Sequence, residues 1–310
     1  MKKAMAKVVI FVLLWLSILA SYNKSDPLPA SEPEKGPPQE KILLIGLIPE
    51  QDLFRQAERY QPLTLYLSEK TGMKIRTKIL SRYRNSIDNF ISENLDGAFF
   101  GSFAYALAHA KLDVEALARP QLLNGESTYH GLILVRKSSG IQTAKQMKGK
   151  TFAFVDKATT AGYLLPLVYF KKNGIENFRT FFKETYFAGT HEGVIRDVLE
   201  GKADIGAAKN TVYQRMADRD GRAARELAVL DRSPEVPENG LAVRRALEDS
   251  IKKRIQEALL TMHLDPRGEE VLKKFGAQKF IETRDEDYLP VLQYARKANL
   301  NLATYDYRDE

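Results

Sequence analysis

The 310-residue sequence contains no cysteine. That one absence excludes disulfides, thiolate metal sites and a cysteine nucleophile. Histidine is scarce: His109, His130, His191 and His263 are the whole set, and they have neither metal-site spacing nor an accompanying carboxylate cluster. No metal and no cofactor is therefore expected. Lys and Arg form no cluster interleaved with aromatics, so nucleic acid is not an expected partner. The net charge is +7, but Lys2, Lys3 and Lys7 lie in an acid-free stretch of 22 residues, which leaves +4 for the remainder. Such a mild excess is compatible with an anionic ligand and does not demand one. Long apolar runs are also missing. The stretch Val8–Ala20 is apolar except for Ser17, and its thirteen residues are too few for a comfortable membrane span.

That run, behind its basic start, fits the core of a signal peptide over residues 1–21, cut after Ala20 or Ser21. Leu19-Ala20-Ser21 looks like the start of a bacterial lipoprotein box. The position that needs cysteine is Tyr22, so a lipid anchor is chemically excluded. Residues 22–40 hold Pro27, Pro29, Pro33, Pro37 and Pro38 among polar residues and read as an extended tether. A tether behind a signal peptide places the folded part outside the cytoplasmic membrane. With 44% hydrophobic residues, that part has material for one or two domains.

Strand and helix patterns alternate along it. Lys41–Ile48 reads as a buried strand, and a helix runs to about Lys70, closed by Gly72. Strands follow at 73–80, 95–100, 114–119 and 129–135, with helices at 87–93 and 103–111. After Gly149 the alternation resumes: strands 151–155, 184–187, 203–208, 227–230 and 240–243, with helices from Thr160, Gly193 and Lys209 onward. Helices near 247–264, 266–275 and 285–300 close the chain. Repeated βαβ units predict an α/β fold of two lobes, each a mainly parallel sheet flanked by helices. The expected first lobe is 41–133 plus 233–310, because the helix-rich tail cannot form a core alone, and the second is 134–232.

The organising stretch is Thr151–Leu165, TFAFVDKATTAGYLL. A strand enters a small, hydroxyl-rich turn and leaves as a helix. Free N–H groups at the helix start and the helix dipole favour an anion there. Thr159 and Thr160 add hydroxyls, and Ala161 and Gly162 leave room for an oxyanion at the backbone. Tyr83–Ser86, Gly101-Ser102 and Gly189–His191 are similar turns at strand carboxyl ends, where ligands of such sheets bind. His191, if protonated, also brings charge beside an anion. Asp156 is expected to bond its own loop. Glu192 is expected to serve as a first-turn acid, and Lys157 and Lys209 to add field without direct contact. Thr160, His191 and Asp156 also have the residue types of a nucleophile, base and orienter. Several weak donors of one kind and no strained nucleophile elbow argue against an enzyme.

GLIPEQ (46–51), LDGAFFGSFAYA (95–106), STYHGLILVRKSSGI (127–141), FAFVDKATTAGYLLP (152–166), FAGTHEGVIRDVLEGKADIGAAKNT (187–211) and SPEVPENGLAVR (233–244) together resemble the PhnD-like family. These are the phosphate-, phosphite- and phosphonate-binding proteins of ABC transporters, and the similarity spans about residues 42 to 295. The resemblance implies a type II periplasmic binding protein that captures a small phosphorus oxyanion between two lobes, as a monomer, for an ABC permease. It implies ligand contacts from Tyr83, Phe100, Ser102, Tyr129, Thr159, Thr160, Ala161 and His191. Family members that bind aminoethylphosphonate carry acids near Thr211-Val212 and near Asn239. This chain has none at either spot, which disfavours an aminoalkyl ligand. A sensor on the same fold, signalling to a membrane partner, is the alternative function.

Overall fold

The computed structural model describes residues 42–83 and 85–308. The expected signal peptide and tether lie outside the described residues. Strand β1 (Ile42–Leu47) leads to helix α1 (Leu53–Thr71). The Asp52 carboxylate accepts the Phe54 N–H at 3.0 Å at the start of α1, and Gly72, at φ 65°, ends it in the left-handed conformation that glycine adopts without strain. The chain continues through β2 (Lys74–Ile79), α2 (Asn85–Ser92), β3 (Gly97–Phe100), α3 (Ser102–Leu112) and β4 (Val114–Leu122). It crosses out by β5 (Thr128–Tyr129) into β6 (Gly131–Arg136) and β7 (Thr151–Phe154). Helices α4 (Leu165–Lys172) and α5 (Phe178–Phe181), strand β8 (Glu184–Phe187), α6 (His191–Leu199), β9 (Ile205–Lys209), α7 (Asn210–Asp220), α8 (Arg222–Glu226) and β10 (Leu227–Arg232) complete the second lobe. The chain returns by β11 (Val236–Pro237) to β12 (Gly240–Arg244), α9 (Asp249–Leu260), α10 (Pro266–Phe275), β13 (Ala277–Glu282) and α11 (Leu289–Lys297).

The first sheet has the order β13-β4-β12-β3-β1-β2 and the second β10-β6-β9-β7-β8. Two α/β lobes are therefore present, but the sheets are mixed rather than mainly parallel. The βαβ units pair in parallel: β1 with β2 and β3, and β7 with β8 and β9. Strands that arrive from the other lobe enter from the opposite end. Thus β12 runs antiparallel to β3 and β4, and β6 to β9 and β10. The outgoing β5 and returning β11 pair antiparallel in a two-stranded hinge. Strand β13 is a further correction, because only helices were expected in the tail; it adds an edge beside β4.

Each lobe has its own core. Tyr60, Phe99, Phe275 and Phe280 pack in the first, and Phe152, Phe154, Phe170 and Phe182 in the second. A third apolar cluster joins Phe103 and Tyr288 to Leu132, Ala161 and Leu164, so apolar surface is buried between the lobes as well as within them. Helix α11 touches α3 and α4 together. Beyond it Tyr305 packs 5.7 Å from Phe103 and donates its hydroxyl to the Lys157 carbonyl at 3.0 Å. Among the described residues no helix is long and apolar enough to cross a membrane.

Candidate ligand-binding cleft

The turn after β7 is held by its own polar groups. Asp156 accepts the Ala158 N–H at 3.0 Å, and the Thr159 hydroxyl donates to the Asp156 carbonyl at 2.6 Å. The Thr159 proton is thus engaged within the turn. From Thr160 to Leu164 the helix opens as a π turn, with Leu164 N–H bonded to the Thr159 carbonyl at 3.1 Å. A helix start leaves its first N–H groups without partners inside the helix, and the wider turn extends that set. Gly162 has a packing role as well. A Cβ there would stand 2.4 Å from the Val155 Cβ, so glycine is required for this turn to pack on its strand. Ala161 lies against Gly131, with 3.2 Å between its Cα and a Cβ placed on that glycine.

Thr160 reaches the other lobe. Its oxygen accepts the Phe103 N–H at 2.8 Å, so the start of α3 meets the start of the π turn. The Ser102 hydroxyl donates to the Pro237 carbonyl of the hinge in a short bond. Tyr129 lies on the outgoing hinge strand, opposite Val236 of the returning one. Burial raises the Tyr129 phenol above its usual range, so it remains protonated. Of the adjacent aromatic pair, Tyr129 is buried, whereas the His130 ring bonds the Ser233 carbonyl at 2.7 Å.

His191 opens α6 and is 4% exposed. The Lys209 backbone N–H donates to its Nδ1 at 3.2 Å, which leaves the proton on Nε2. Burial, opposed by Glu50 and aided by Lys209, lowers its pKa to about 3. His191 is thus a neutral donor at physiological pH, one of the two states its sequence position left open. The Tyr83 ring stands edge-on to it at 5.9 Å. Burial and then Glu50 hold the Tyr83 phenol well above 10. Its hydroxyl is buried without a hydrogen-bond partner among the described residues, as are Ser86 Oγ, Thr211 Oγ1 and Asn239 Nδ2. Phe100 packs 6.0 Å from Phe90 within the apolar cluster.

Tyr83 thus meets His191, and Thr160 and Ser102 reach the other lobe and the hinge. Lys209, expected to add field without direct contact, has its charge paired inside the protein. Its ammonium donates to Glu50 at 2.8 Å, to Asn239 at 3.0 Å and, in a short bond, to Glu238. It also lies 4.3 Å above the Tyr129 ring. Burial pushes the Glu50 carboxyl up, but Lys209, Arg215 and Arg59 outweigh it and hold the group well below the usual range. Burial alone would lower Lys209; Glu238 and Glu50 raise it instead. The one signal in the chain was a lysine closing an otherwise apolar strand, IGAAK. Glu192 stands in the first turn of α6 as expected, and does more. It accepts from Arg55 of α1 at 2.5 Å, as well as from Arg196 at 3.2 Å and Arg219 at 3.1 Å, and so ties the lobes together at the rim. Beside the turns at Asp156 and Thr190, a cavity of about 860 Å³ is lined by Arg82, Lys157, Arg179 and the rings of Tyr163, Phe178 and Phe187. Such a lining raises the local concentration of anions.

Two α/β lobes, two hinge strands and a cleft of buried donors define a type II periplasmic binding protein. The chain belongs to the family described as "ABC transporter, phosphonate, periplasmic substrate-binding protein", whose model matches residues 45–288. This is a family of transport proteins rather than of enzymes. The chain is 24% identical over 262 residues to the phosphonates-binding periplasmic protein of Escherichia coli, covering 83% of this chain and 77% of that protein. It resembles the solved binding component of an ABC phosphonate transporter from Pseudomonas aeruginosa at a TM-score of 0.79 and 23% identity, covering 84% and 87% of the two chains. It also resembles PhnD1 of Prochlorococcus marinus, solved in complex with methylphosphonate, at a TM-score of 0.75 and 21% identity, covering 84% and 99%.

Proposed function

We propose that this protein captures a small phosphorus oxyanion (methylphosphonate, phosphite or phosphate) in the interlobe cleft and delivers it to the membrane permease of an ABC importer. The observation that carries this reading is the meeting of two helix starts, at Thr160 and Phe103, across the lobes, in a cleft that also buries the neutral donors of His191 and Tyr83. Amides, hydroxyls and a neutral imidazole satisfy oxyanion oxygens without bringing ions of their own that must be desolvated. In this reading Thr160, Ala161, Tyr83, Tyr129 and the His191 Nε2–H face the anion. Thr159, Ser102 and Phe100 shape the turn, the hinge and the wall beside them. The protein acts as a monomer, exported by its amino-terminal segment, outside the cytoplasmic membrane.

Thermal unfolding and calorimetry of the purified protein with phosphate, phosphite and methylphosphonate test the reading. A ligand at 100 times its Kd stabilises the folded state by about 2.7 kcal/mol. No shift and no heat with any of the three overturns it.

A further inference from the structure

The buried ions of the cleft bear on which oxyanions can enter. The side chain of Lys209 is 2% exposed, and an ammonium has three N–H donors. Three acceptors surround it: Glu50 from the first lobe, and Glu238 and Asn239 from the segment entering β12. The Tyr129 ring supplies an aromatic face on a fourth side, at 4.3 Å. Two carboxylates, an amide oxygen and an aromatic face make a complete pocket for one ammonium group. Arg59 and Arg215 back Glu50 at 3.3 and 3.8 Å, so the surroundings offer no spare negative charge to a second cation. Glu238 Oε2 is buried and has no hydrogen-bond partner among the described residues, so the pocket retains an acceptor aimed inside the fold.

We infer that Lys209 is a specificity-determining residue: its tethered ammonium fills the cation pocket of the cleft, so the protein accepts oxyanions with uncharged substituents and turns away those that carry an ammonium. This rests on the oxyanion reading proposed above. The oxyanion donors and the cation pocket share one residue. The Lys209 backbone N–H bonds His191, and its ammonium fills the pocket. A two-carbon arm on a bound phosphonate extends toward that pocket. An ammonium at its end meets paired carboxylates and a like charge in a desolvated space, where neither Coulomb attraction nor hydration is available to it. The rejection of aminoalkyl ligands expected from missing acids therefore has another cause. Acids are present in the cleft, and the chain's own lysine occupies them.

Propylphosphonate and 2-aminoethylphosphonate are nearly isosteric and differ in a terminal methyl against an ammonium. In calorimetry the wild-type protein is expected to favour propylphosphonate by at least ~10-fold. Lys209→Ala should invert that preference, and Lys209→Ala/Glu238→Gln should lose the inversion, because the carboxylate that receives the ligand ammonium is gone. If Lys209→Ala is too unstable for calorimetry, the ligand that raises its Tm more reports the same preference. A merely structural lysine would instead weaken both ligands alike, and that outcome overturns the inference. Equal wild-type affinity for the two ligands overturns it without any variant. If the wild type binds methylphosphonate but neither longer ligand, gain of aminoethylphosphonate binding by Lys209→Ala upholds it and no gain overturns it. Wild-type protein that binds no phosphonate, phosphite or phosphate breaks the functional reading itself.

Discussion

On one side of the cleft, the turn from Asp156 to Gly162 and the start of α6 contribute uncharged groups: amides, the Thr160 hydroxyl and a neutral His191. On the other side, Glu50 and Glu238 are ions that share Lys209, and Arg59 and Arg215 back Glu50. Both regions are buried, and both link the lobes. The uncharged side keeps donors directed inward at small desolvation cost, because no full charge leaves water. The ionic side would be unstable with any one member missing, so it is complete without a ligand. An anion therefore gains its contacts from the first region, while the second limits what that anion carries. Closure is shared: Thr160 accepts from Phe103, and Lys209 reaches Glu50, in both cases across the lobes.

The strongest way to break this contrast is to remove one ion. Glu50→Leu leaves Lys209, Arg59 and Arg215 short of a counter-ion, and urea unfolding should show a loss of about 3–5 kcal/mol. An unfolding free energy within ~0.5 kcal/mol of wild type would mean the cluster is not a closed set of charges in solution. Removing a neutral donor should cost less. Thr160→Val loses a hydroxyl at nearly constant volume, so methylphosphonate affinity should fall ten- to a hundredfold, or about 1.5–3 kcal/mol. Thr160 also accepts the Phe103 N–H, so part of that loss is closure; Thr160→Ser keeps both functions and should bind within a few-fold of wild type. Wild-type affinity in the valine variant would reduce the π turn to a helix start with no ligand.

The smallest effect concerns protons. His191 titrates near 6.5 when unfolded and about 3 when folded. Between those values only the unfolded chain takes up the proton, so this group lowers stability as pH falls below about 6.5 and contributes a constant amount above it. The slope is about 1.4 kcal/mol per pH unit, and His191→Gln should flatten the acid limb by that amount in denaturation between pH 5 and 6.5. Methylphosphonate affinity, corrected for the ligand's own ionisation, should stay level from pH 8 to 6. Tightening toward pH 6 would show that His191 binds as a cation and would erase the distinction between the two sides.

Local pattern was enough for most elements. Glu184–Phe187 forms a strand over the same residues in sequence reading and structure, and the helix ending at Gly72 stops where glycine permits a left-handed residue. Such features depend on neighbours in the chain. Strand β13 was missed because an edge strand is defined by its partner β4, far away in sequence, and not by strong periodicity of its own. Strand direction was misjudged for a related reason: β6 and β12 run antiparallel because of where the chain crosses between lobes, and no local pattern records that.

The site divides in the same manner. From residue type and spacing came the hydroxyl turn at Thr159-Thr160 and the helix starts at Tyr83–Ser86 and His191; the family resemblance, itself carried by short segments, added Tyr129. All of these are properties of short segments, whose chemistry does not require a partner. Only the tertiary structure decided which hydroxyl is engaged by its own turn, that Gly162 serves packing, that Lys209 is caged and that Glu192 ties the lobes. It also decided the charge of His191, because burial and the Lys209 amide set its proton. Charge state and counter-ion are long-range quantities. They depend on water removed by distant residues and on ions more than a hundred positions away, as Glu50 is from Lys209.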